Sequence, residues 1–240
     1  MYYNQQTDRQ RLKWATQRCD GLSIPLVLYA WTTHHSTIQV LAAVFGPKEV
    51  EQRSQMDSSK AIVRCEYAMA SFSTGERRRR GKSDRRSTEI SMLIRNTLEQ
   101  TILLELMPRT QIDVYVQVLQ ADGGTRCACI NAAFLALADA GIPMKDVVAA
   151  CAAGYLDSTP LLDLNQLEDS GGGPDVVVGI HPGLEKVVLL QSDNRLSIET
   201  FEQVVALASA GCAAVAAEMR KYLIDHVKLM SLTQQPPGNA

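Results

Sequence analysis

An α+β fold is the class this sequence predicts, on three observations. Apolar runs of strand length are interleaved with longer stretches whose apolar residues recur at helical spacing. Some strand-like runs sit side by side and others are separated by a helical stretch, so hairpins are mixed with helical crossovers. The chain is 240 residues long and 46% apolar, enough to bury a core without staples. Aromatic residues are only 5%, so that core is built from Ala, Val, Leu and Ile.

Residues 1–37 are polar up to Asp20, then carry an apolar run, Ile24–Ala30, followed by Trp31 and the pair His34–His35. Neighbouring histidines in a strand face opposite ways, and no third ligand is near, so a metal pair is not expected there. Val40–Phe45 reads as a buried strand closed by Gly46–Pro47, Lys48–Ser59 as a solvated loop, and Ala61–Ala70 as a second strand. Asp84 is a good N-cap for a helix starting at Arg85. Ile90, Leu93, Ile94, Leu98, Thr101 and Ile102 then follow at helical spacing, and Pro108 closes the stretch. Gln111–Leu119 alternates: Ile112, Val114, Val116 and Val118 face one way, while Asp113, Tyr115 and Gln117 form a wet or functional face. Thr125–Ala140 is a helix of small residues ended by Gly141 and Pro143. Val147–Tyr155 and Pro160–Leu164 read as a hairpin around Asp157-Ser158-Thr159, and Asp175–Ile180 and Lys186–Gln191 as two more strands. Ser197–Met230 is mostly one long helix, and Ser231–Ala240 reads as a disordered tail. The organisation expected is a divergent segment over 1–37, a domain over 38–230 and a tail over 231–240.

Lys plus Arg number 24 against 26 Asp plus Glu, a net charge of -2. That excludes a polycation that coats nucleic acid, though not a local basic patch. No run of eighteen apolar residues appears, so no membrane span is expected, and polar Met1–Arg18 does not resemble a secretory signal. Cys19, Cys65, Cys127, Cys129, Cys151 and Cys212 form no CxxC pair, which fits reduced thiols in the cytosol or nucleus better than zinc or disulfides.

Three groups could carry chemistry. Seven of the ten residues from Arg77 to Arg86 are basic: Arg77, Arg78, Arg79, Arg80, Lys82, Arg85 and Arg86. They read either as a solvated loop or as a contact for polyphosphate or nucleic acid, with Arg85 and Arg86 held on a rigid first helical turn. The second group is Gly123-Gly124-Thr125-Arg126, between a strand and a helix. Glycines admit close approach, the helix N-terminus offers free N–H groups, and the arginine fork matches phosphate oxygens. No Walker A pattern is present, and a plain turn is the alternative. The third is Asp169 and Asp175, bracketing Ser170–Pro174. Close carboxylates split their proton affinities, so one can donate a proton while the other stays charged. They can also hold Mg²⁺ with its waters, or be no more than an acidic surface turn. Together the groups are the parts of phosphoryl chemistry on an RNA or nucleotide.

These motifs carry a resemblance. Cys65-Glu-Tyr67, Phe72-Ser-Thr-Gly-Glu-Arg77, Asp84-Arg-Arg-Ser87, Gln111-Ile-Asp-Val114, Val118-Leu-Gln-Ala-Asp-Gly-Gly-Thr-Arg126, Ala138-Asp-Ala-Gly-Ile-Pro-Met144 and Leu162-Asp-Leu164 resemble the RNase PH family, in the form found in the ring of the eukaryotic exosome. The likeness spans residues 40–230. It implies a ribosomal-protein-S5-domain-2-like fold with a mixed sheet and packed helices. It also implies phosphate-dependent 3′-to-5′ exoribonuclease activity that releases nucleoside diphosphates, in rRNA processing and mRNA turnover. By the same resemblance Gly124, Thr125 and Arg126 hold the attacking phosphate, and Arg85 and Arg86 grip the RNA, with Arg77–Arg80 before them. Asp169 is then the general acid and Asp175 a Mg²⁺ ligand, with the order of the two left open. The implied partners are other RNase PH-like ring subunits, S1/KH cap subunits and single-stranded RNA, in the nucleus, nucleolus and cytoplasm, with no membrane. A catalytically silent subunit that only positions RNA is the alternative. The family's opening Arg-x-Asp-Gly-Arg stretch and Gly-x-Thr turn have no counterpart in residues 1–37.

Overall fold

The computed structural model describes residues 11–16, 26–32, 37–51, 54, 56–75, 77, 84–156 and 159–233. Two sheets enclose a nearly all-apolar helix. The first sheet has five strands: β1 (Arg11–Thr16), β2 (Leu26–Thr32), β3 (Thr37–Glu49), β4 (Ile62–Met69) and β5 (Thr110–Gln120), in the order β1-β2-β3-β5-β4. Only β4 and β5 run parallel, joined by a crossover through helix α1 (Arg85–Thr101). The second sheet is antiparallel, ordered β7-β6-β8-β9. Its strands are β6 (Ala149–Leu156), β7 (Thr159–Leu162), β8 (Asp175–His181) and β9 (Lys186–Ser192). Helix α2 (Thr125–Asp139) packs on strands of both sheets, and every residue from Cys127 to Leu137 is buried. Its alanines and cysteines let two sheets approach one helix closely. Burial pushes the Cys212 thiol up to about 12, so it packs as an apolar group rather than reacting. The five described cysteines are unbridged.

The architecture is the expected α+β arrangement, and most elements fall where periodicity puts them. Four places differ. Two paired strands, β1 and β2, form where only a short apolar run is legible. β3 continues beyond Gly46–Pro47, because its register on β5 shifts between Phe45 and Lys48 instead of breaking off. Lys48 and Glu49 therefore belong to the strand, not to a solvated loop, and Lys48 Nζ lies 2.6 Å from the buried Asp113 carboxylate. α1 ends at Thr101, short of Pro108: Ile102 turns extended and bridges to Met144. A short helix, α3 (Gln166–Ser170), stands where an acidic turn is expected.

The last helix, α4 (Ile198–Thr233), runs into the stretch read as a tail; residues 234–240 lie outside the described residues, as do His34–His35 and Asp157–Ser158. Among the described residues, α4 is the one helix long and apolar enough to cross a membrane. Yet Val204, Ala208, Cys212, Val215, Ala216 and Met219 recur at helical spacing and are buried in the core, the pattern of a helix that covers a sheet.

The site follows from this topology. The C-terminal ends of β4 and β5, the starts of α1 and α2, α3, the start of β8 and the end of β9 all contribute to one cleft.

Candidate active site

The cleft encloses about 320 Å³ and is lined by Arg86, Asp122–Arg126, Asp169, Asp175 and Asp193, with Tyr67 and Thr74 among the rest. One end of it is the β5–α2 turn. Gly124 caps α2 in the left-handed region (φ 65°) and supplies no side-chain hydrogen bond to the first turn. The initial N–H groups of α2 thus keep the positive end of the helix dipole open to an anion. The turn is tied down from behind. Asp122 Oδ1 accepts from the N–H groups of Gly123 (2.9 Å) and Gln166 (2.7 Å), and Thr125 Oγ1 donates to the Asp122 carbonyl (2.8 Å).

Gly123 is required for a tertiary reason. A Cβ there would stand 1.8 Å from the Leu164 carbonyl oxygen, which is backbone and cannot swing away. Gly123→Ala is expected to destabilise the chain by about 2 kcal/mol or more and to pull the turn off α3. Thermal unfolding checks the first effect and orthophosphate titration the second.

Both acids line the cleft, and the stretch between them is not a floppy turn. Asn165 and Glu168 form a capping box that fixes α3, which presents Asp169. Asp169 is exposed, whereas Asp175 at the start of β8 is half-buried. Its Oδ1 is buried with no hydrogen-bond partner. Burial pushes the Asp175 carboxyl up to about 6, Asp169 and Asp193 push the same way, and Arg126 opposes them.

Arg86 lines the cleft, while Arg85, one residue earlier on α1, is exposed and stands outside it. Arg77 is exposed on the preceding loop; Arg78, Arg79 and Arg80 lie outside the described residues. Asp193 is the site residue that sequence reasoning misses. It follows the last strand in a Ser-Asp-Asn turn, and nothing local says that it reaches Arg126 on α2, with Nη1 to Oδ2 at 2.9 Å. Among the described residues no cluster of three or more His, Cys, Asp or Glu forms a metal cage. A two-carboxylate site with waters is the donor set that suits Mg²⁺.

Comparison with known proteins shows the family. Two family models match: the 3′ exoribonuclease (RNase PH) family, domain 1, over residues 34–143, and domain 2 of the same family over residues 146–211. The chain is 62% identical over 191 residues to the exosome complex component RRP41 homolog of Arabidopsis thaliana, covering 79% of each protein. To exosome complex component RRP41 of Mus musculus it is 45% identical over 196 residues, 81% of this chain and 80% of that protein. To Rrp41 of Thermococcus kodakarensis it is 49% identical over 201 residues, 84% and 80% of the two chains. The crystal structure of rice (Oryza sativa) Rrp46 superposes with a TM-score of 0.75 over 91% of this chain and 97% of that one, at 22% identity, which speaks for the fold.

Proposed function

The chain belongs to the RNase PH family of 3′ exoribonucleases, and on that premise we propose that it is a ring subunit of the RNA exosome whose cleft shortens RNA from the 3′ end with inorganic phosphate. One observation carries the reading. Arg86, the Gly123–Arg126 turn, Asp169 and Asp175 come from separate stretches of chain and line the same cleft.

The geometry divides the labour. Orthophosphate sits on the open first turn of α2, against backbone N–H groups, Thr125 and the Arg126 fork. Arg86, on the rigid start of α1, neutralises the RNA phosphate opposite it. An orthophosphate oxygen attacks the phosphorus of the last linkage. The bond from that phosphorus to the 3′ oxygen of the shortened strand breaks, and a nucleoside 5′-diphosphate leaves. The departing 3′ oxygen takes a proton from the acid pair. The resemblance implies Asp169 as donor and Asp175 as cation ligand, with the order of the two open. The burial of Asp175 and its neighbouring carboxylates favour Asp175 as the holder of that proton, with Asp169 beside it in the same cleft. Mg²⁺ fits the same pair, since the unpartnered Asp175 Oδ1 beside Asp169 offers it oxygen ligands. When bound, the ion supplies neutralisation of charge on the phosphoryl oxygens.

The relatives' names and the shared fold support other RNase PH-like subunits as ring neighbours. S1/KH cap subunits, single-stranded RNA, and work in the nucleus, nucleolus and cytoplasm belong to the same proposal. The test is to incubate the reconstituted ring with RNA, with and without phosphate. Phosphate-dependent release of nucleoside diphosphates is the expected result. RNA left intact under both conditions would make this a silent, RNA-positioning subunit.

Arg86→Ala is expected to raise the KM for RNA while leaving that for phosphate in place. It should also lower the slope of log affinity against log salt by about 0.7, the share of one phosphate contact on a single strand. An unchanged slope would remove Arg86 from the RNA path.

A further inference from the structure

We propose that Asp193 is a positioning residue that fixes the Arg126 guanidinium over the anion cradle, an inference that rests on the phosphorolytic reading of the cleft. Arg126 leaves the first turn of α2 on a long side chain, and ordering such a chain costs conformational entropy unless something holds it. Asp193 holds it at one point: Arg126 Nη1 donates to Asp193 Oδ2 at 2.9 Å. A single contact occupies part of the fork, and the other guanidinium N–H groups remain for an anion.

The carboxylate is itself anchored. Gln191 Nε2 donates to Asp193 Oδ1 at 3.1 Å. The Asp193 backbone N–H donates to the Asp175 carbonyl at 3.2 Å. The first bond holds the carboxylate and the second holds its backbone. The end of β9, the start of β8 and the start of α2 are thus joined through one residue, in a chain where residues 126 and 193 lie far apart. The arrangement couples the phosphate-holding arginine to the buried acid in two ways. Asp193 adds negative charge beside Asp175, and it keeps Arg126 from swinging toward that acid.

Charged groups that face Asp175 across the cleft are Asp169 from α3, Arg126 from α2, Arg86 from α1, Asp122 from the β5–α2 turn and Asp193 itself. Removing Asp193 deletes a like charge and frees an opposite one.

The experiment compares Asp193→Ala and Asp193→Glu with the wild type in the reconstituted ring. Asp193→Ala is expected to raise the KM for phosphate roughly tenfold, the scale on which losing a supporting contact loosens a bound ion. The KM for RNA should stay constant, and kcat should fall less than the KM rises. Asp193→Glu keeps the carboxylate and should return the phosphate KM toward its wild-type value. Unchanged phosphate KM in Asp193→Ala would overturn the proposal. So would a loss confined to kcat, which marks a merely structural acid. A wild-type ring with no phosphorolysis would defeat the parent reading alone. Calorimetric titration with orthophosphate then decides the tether: a roughly tenfold weaker uptake in Asp193→Ala upholds it, and equal uptake overturns it.

Discussion

Arg126→Ala removes phosphate-dependent turnover from the assembled ring while RNA still binds. The expected loss is about 10²–10³-fold or more, the range for deleting one preorganised charge from a site where negative charge gathers. The reason lies in the balance of charge. Asp169, Asp175 and Asp193 line the same cleft as the turn that receives orthophosphate, and phosphate arrives as an anion. With Arg126 in place, that end offers a cation and open helix N–H groups. Without it, the phosphate faces carboxylates backed only by a helix dipole worth about half a charge. Asp175 also loses the group that holds its proton affinity down, so the limb it controls should move to higher pH. Release of nucleoside diphosphate at rising phosphate concentration measures the first effect, and RNA affinity without phosphate is the control. A parallel fall in RNA affinity would show that Arg126 grips the polymer instead.

The parts of this site that sequence discloses are those whose physics is local. Asp84 caps α1 with its own side chain, accepting from the Arg86 N–H, so the pattern fixes where α1 starts and puts Arg86 on a firm turn. Gly123–Arg126 announces itself because strand periodicity stops and helical periodicity starts on either side of it. The strand order was less legible because pairing is non-local. β1 and β2 carry apolar residues, but their place in the sheet comes from pairing with each other and with β3. α3 is only five residues long, too short for periodicity to register, although its capping box is written in Asn165 and Glu168. Asp193 shows no local sign at all. A turn acid becomes a site residue only when the second sheet carries it to α2. The need for Gly123 is equally remote, since the clash partner is the backbone of Leu164.

Asp175→Asn should separate function from stability in opposite directions. Turnover is expected to fall by about 10²–10⁴-fold, the usual value of a positioned proton-transfer group, because asparagine can neither give a proton to the 3′ oxygen nor serve as an anionic ligand. The fold should become more stable at neutral pH. Asp175 has a folded-state pKa of about 6 against 3.8 for the ordinary group. For an acid raised in this way, the folded chain binds more protons than the unfolded chain between those values, so stability falls as pH rises through that window. At pH 7 the folded state therefore carries the cost of a half-buried, like-charged carboxylate. Asparagine has the same shape without the charge, and lifts that cost by about 1 kcal/mol once solvent access is allowed for, or some 2–4 °C in Tm for a chain of this size. The gain should vanish below about pH 4, where the wild-type carboxylate is itself protonated in both states. Asp169→Asn, at an exposed position, should show no comparable thermal gain. Thermal unfolding of both variants at pH 4 and pH 7, beside nucleoside diphosphate release, tests the argument as a whole. Loss of stability in Asp175→Asn at pH 7, or near-normal turnover, would mean that the burial of this carboxylate serves the fold and not the reaction.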